Sequence, residues 1–175
     1  MEPFTRLAIV IGTTISGAAW LYYKGPVPVI RVTTPLPETA PFWYMLIPFP
    51  ILGMLIADLL AYYGIYGFGI RVIEPGLQIG FILLLSYLRL ARRLPVSGHS
   101  LLIAYFILRR IFIGVPSHNY RWVETVFAVL LFIAVIYRKL FWWYDPITLL
   151  SGIAIAVVMI AISLYILRRG NFGEI

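Results

Sequence analysis

Apolar residues fill six long stretches of the chain, separated by short polar breaks. A helix needs about 20 mostly apolar residues to cross a bilayer, and stretches 7–23, 42–63, 72–91, 97–115, 122–137 and 147–167 predict six spans. A loop rich in Pro and Thr, 24–41, follows the first span. Pro48 and Pro50 are expected to kink the second, because proline removes a backbone donor and crowds the preceding turn. Arg109 and Arg110 interrupt the fourth, so they must snorkel or face protein. Trp and Tyr gather at the predicted ends, as in Trp20, Tyr22 and Tyr23, or Trp142, Trp143 and Tyr144. Such rings prefer the headgroup level, which supports the boundaries independently of hydropathy. Gly12 and Ser16, four apart, predict a close-packing face on the first span. That span could pass for a signal peptide, but bulky Trp20, Tyr22 and Tyr23 follow Ala18 and Ala19, so it is read as retained.

Composition agrees with the pattern. The chain is 62% hydrophobic and 12% charged, with a mean hydropathy of +0.94; soluble domains average about 45–50% apolar and about 25% charged. The expected fold is therefore all-α, a single polytopic membrane bundle over residues 1–175, placed in the cell membrane. With no cysteine, disulfides, iron–sulfur clusters, thiolate metal sites and a cysteine nucleophile are excluded. The net charge of +7 is dispersed between apolar runs, which suits lipid headgroups rather than nucleic acid. Six spans divide the 14 cations seven to each side, so the positive-inside rule assigns no orientation.

Candidate chemistry sits at two junctions. Arg89, Arg92 and Arg93 run into Pro95-Val-Ser97-Gly98-His99-Ser100 between the third and fourth spans. Ser97 is placed to cap the fourth, Gly98 allows close backbone approach, and a helix N-terminus beside arginines suits an anion such as phosphate. His99 could give a proton to a leaving oxygen. The plainer reading is a basic interfacial loop with an ordinary cap. Arg138 and Lys139 precede Asp145 between the fifth and sixth spans. Two crossings separate the junctions, so they share a face. Here the plainer reading has both cations snorkelling and Asp145 capping the sixth span. Asp58 is a carboxylate inside the second span, for which hydrogen bonding with Tyr62 or Tyr63 is the bland account. Glu124 stands three residues after Arg121, at ion-pair spacing. His118 is 19 residues beyond His99, roughly 28 Å along a helix. It is read as part of a boundary turn, and the separation excludes a haem shared by the two histidines. No cofactor is expected.

The segment from Pro95 to Ser100 resembles the PSGH motif of the type 2 phosphatidic acid phosphatase superfamily, with one inserted residue. The 46 residues from His99 to Asp145, and the aspartate followed by Gly152, are similar to that family's spacing on its six-helix core. The resemblance implies a lipid-phosphate site with His99 and Asp145 catalytic, and with Arg89, Arg92, Arg93, Ser97, Gly98 and Arg138 holding phosphate. Residues 94–99 are also similar to the LPVSSSGH-like segment of undecaprenyl-diphosphatases, without that family's glutamates. The phosphatase family's nucleophilic histidine has no counterpart: Phe141 stands four before Asp145. Arg138 lies seven before Asp145 instead of ten, and the family's first motif has no clear match. The expectation is a lipid-phosphate phosphatase-like protein, able to bind a prenyl or glycerolipid phosphate, with turnover left open. The alternative is a non-enzymatic membrane subunit, as in a solute transporter or a scaffold. Expected partners are membrane lipids, a lipid-phosphate ligand, and an oligomer or larger membrane complex.

Overall fold

The computed structural model describes residues 2–25, 40–92, 94–114, 121–143 and 145–170, with side chains at 89–92, 169 and 170 left out. Helices account for nearly all of it: α1 (Pro3–Lys24), α2 (Phe42–Leu46), α3 (Pro48–Tyr66), α4 (Ile70–Arg92), α5 (Gly98–Phe112), α6 (Arg121–Tyr137) and α7 (Pro146–Gly170). Five spans are long and apolar enough to cross a membrane; α2 and α3 together form one of them. The chain is thus an all-α bundle of the multi-pass membrane type.

Proline shapes the second span. The predicted kink falls before Pro48, where α2 gives way to α3; Pro50 lies in the first turn of α3, whose amides need no intrahelical acceptor. Pro75 is carried inside α4. Three helices start or end beyond the expected limits. α1 begins at Pro3, α4 takes in Arg71 and Glu74, and α7 reaches Gly170.

α5 departs most from the expectation. At 15 residues it is about 22 Å long, short of the roughly 30 Å hydrocarbon core. Its side chains from His99 to Phe106 are nearly all buried, and it packs most extensively on α7, then on α6, α3 and α4. Large apolar side chains on α1, α4, α6 and α7 point outward, among them Ile15, Leu77, Leu130 and Val158. In water such a surface would be prohibitive; in lipid it costs nothing. Arg109 and Arg110 do not snorkel. They face protein, 2% and 8% exposed.

The close-packing face of α1 is one residue away from the expected one. A Cβ on Gly12 would meet nothing, whereas one on Gly17 would overlap the Phe49 ring, and one on Gly53 would come 2.9 Å from the Val10 Cα. Thr13 and Gly17 therefore lie against Phe49 and Gly53, which lets α1 and α3 approach closely. Gly12 and Ser16 face outward.

Candidate functional site

The two junctions meet. The Ser97 N–H donates to the Thr148 carbonyl at 2.9 Å, and the Ser151 hydroxyl donates to the Pro95 carbonyl. Glycine makes this possible: a Cβ on Gly152 would lie 2.8 Å from the Ser97 carbonyl. Gly98 is equally constrained, since a Cβ there would come 2.9 Å from Ser86 Oγ on α4. Ser97 caps α5, its hydroxyl accepting from the Ser100 N–H at 3.4 Å. The start of α5 is thereby locked between α4 and α7.

His99 lies at this rim, buried against α2. Its ring stacks on Tyr44 with centroids 4.3 Å apart, and its Nε2 is 2.9 Å from the Tyr44 carbonyl. A carbonyl only accepts, so Nε2 carries the proton. Trp143 meets the other side of Tyr44 edge-on at 4.7 Å. Tyr44 thus bridges the two junctions, a role with no signal in the sequence beyond an aromatic near a helix end.

After Tyr137 the helix widens into a π-helical turn, Arg138–Trp142. Such turns insert a residue and re-aim side chains. Lys139 turns inward, 2% exposed, instead of snorkelling. Its ammonium donates to Asp145 Oδ2 at 3.0 Å and to the Thr148 hydroxyl at 3.1 Å. Asp145 also accepts from the Thr148 hydroxyl and from its N–H, the latter at 3.3 Å, capping α7. Burial pushes the Asp145 carboxyl up, but the Thr148 hydroxyl, the Lys139 charge and hydrogen bond, and the Thr148 N–H together hold it below the usual aspartate range. Phe141 is 65% exposed and stacks at 5.3 Å with Tyr137. The position at which the family places its nucleophile thus faces away from the protein.

Arg138 differs from Lys139. Its guanidinium lies over Trp142 at 4.5 Å and Trp143 at 5.0 Å, and its Nε is buried with no hydrogen-bond partner. The neighbouring Trp143 indole N–H is buried and unpartnered as well. Two orphaned donors side by side are unusual, since buried polar groups are nearly always satisfied. The side chains of Arg89 and Arg92 and the whole of Arg93 lie outside the described residues, as does His118.

A second polar assembly occupies the opposite end. Asp58 does not bond to Tyr62 or Tyr63; it takes Arg6 of α1 at 2.7 Å and Arg110 of α5 at 3.2 Å. Glu124 bridges to the same two arginines, at 2.5 Å and 2.6 Å, and not to Arg121, whose guanidinium lies over Trp122. Arg109 pairs with Glu74 at 2.9 Å, and Glu74 also accepts from the Ser163 hydroxyl. The Tyr62 hydroxyl instead donates to the Gly114 carbonyl at 2.9 Å. Sequence spacing pointed to partners on the same helix, whereas these come from different helices. Three arginines and three carboxylates cancel, as a low-dielectric interior requires. Among the described residues no group of three or more His, Cys, Asp or Glu could hold a metal.

Comparison with protein-family models, curated proteins and solved structures finds no match to this chain.

Proposed function

We propose that the protein sits in the cell membrane and binds a phosphorylated lipid headgroup at the rim where α5, α7 and the π-helical turn meet, without hydrolysing it. The observation that carries this reading is the pair of buried, unpartnered donors, Arg138 Nε and Trp143 Nε1, beside the junction joined by Ser97 and Thr148. Phosphate offers several strong acceptors, and a guanidinium held flat by aromatic rings suits it. Lys139 and Asp145 neutralise one another, so the charge available to a ligand is that of Arg138, joined by whichever of Arg89, Arg92 and Arg93 reach the rim. Hydrolysis through phosphohistidine requires a nucleophile, and Phe141 supplies none.

The test is binding of a phosphatidic acid or a prenyl phosphate to purified protein, against the matching dephosphorylated lipid. Wild type should prefer the phosphorylated lipid and release no inorganic phosphate. A hydrogen bond to a charged group contributes about 1.5–3 kcal/mol, so Arg138→Ala should weaken binding roughly 10- to 100-fold. Trp143→Phe, which keeps the ring and loses the N–H, should weaken it in the same direction. Equal affinity for both lipids would overturn the reading. Phosphate release that disappears in His99→Ala would restore an enzyme.

A further inference from the structure

A cleft of about 390 Å³ opens between α1, α3 and α6 at the end away from the rim. Leu7 and Val10 of α1, Met54 of α3 and Val123 of α6 line it, and Arg6 and Glu124 provide its polar wall. α1 and α6 barely approach each other; the Arg6–Glu124 bridge spans the gap between them. From Pro3, at its mouth, to Val10 the cleft runs seven residues along α1, roughly 10 Å. A single turn of helix with its side chains, about 10–12 Å wide and 5.4 Å tall, occupies roughly 400–600 Å³. The space is thus too small for a partner helix, and its apolar walls leave a hydrocarbon chain as the occupant.

Charge at the mouth selects the head. α1 and α6 are parallel, so both begin here, and helix N-termini favour negative charge. Arg6 is fully engaged by Asp58 and Glu124. Arg121 is not: it opens α6, shares a face with Glu124 three residues on, and has no acidic partner among the described residues. We infer that this cleft holds one acyl chain of an anionic phospholipid, with the phosphodiester at Arg121 and the first turns of α1 and α6. The site is separate from the rim and does not depend on the reading given to it.

Native mass spectrometry of the full chain, with phosphatidylglycerol and phosphatidylcholine of identical acyl chains added in turn, tests the assignment. Wild type should retain phosphatidylglycerol at least several-fold better. Arg121→Gln should remove that preference while leaving the charge network standing, because Arg110 meets the Arg121 carbonyl and not its side chain. Leu7 is half exposed, and Leu7→Trp should reduce retention of both lipids by filling the cleft. Arg138→Ala, at the far rim, should change neither. Equal retention of the two lipids by wild type, or unchanged phosphatidylglycerol retention in both cleft variants, would overturn the inference.

Discussion

Asp145 and Lys139 show how much one turn of helix decides. Spacing marks Asp145 as a cap, and Thr148 three residues on completes the usual N-terminal arrangement, so that half of the site could be read from the sequence. Lys139 could not, because nothing in the composition of residues 138–142 announces a π-helical turn, and an ordinary helix would leave the side chain free to snorkel. The pairing has a consequence for pH. The Asp145 carboxyl titrates below the aspartate range in the folded protein, against about 3.9 when unfolded. The ionised form therefore adds stability at neutral pH, and the contribution is lost as pH falls through the folded value. Asp145→Asn should melt lower than wild type at about pH 7, and the gap should narrow as pH drops towards about 3. A gap that stays constant in detergent melting experiments would rule out a linked carboxyl.

At the scale of elements, hydropathy and aromatic placement suffice to locate the spans, because lipid imposes both. The partners of the buried charges were not legible. Arg6 reads as a headgroup anchor and Glu74 as a polar residue before the third span, since each is completed by a residue far away in sequence. The four-residue knot of Arg6, Asp58, Arg110 and Glu124 ties α1, α3, α5 and α6 together. Removing one member of a buried pair leaves a charge uncompensated and costs about 3–5 kcal/mol. Asp58→Asn should lose stability on that scale. Combining it with Arg6→Met should cost less than the two single changes added, with a coupling of about 0.5–3 kcal/mol. Denaturation in mixed micelles measures it; strict additivity would mean that the four residues act independently.

For the whole molecule, alternation of direction gave the right neighbours: two crossings return the chain to the same face, and the rim joins the junctions that this parity brings together. What parity does not reveal is that one helix lies enclosed by the rest. α5 is too short to satisfy the usual span criterion and carries two arginines in its last turn. Each arginine costs up to about 2.5–3.5 kcal/mol to insert at mid-membrane, so as an isolated segment α5 does not partition into lipid. Its counter-charges are made earlier on the ribosome: Asp58 on α3 and Glu74 on α4 emerge before Arg109 and Arg110. Biogenesis is consequently ordered, with the first four helices forming a receptacle into which α5 is drawn. In a translocation assay α5 alone should pass through unintegrated, residues 42–114 should integrate it, and Glu74→Gln should reverse part of that gain. Integration of the lone segment would show that it needs no such receptacle.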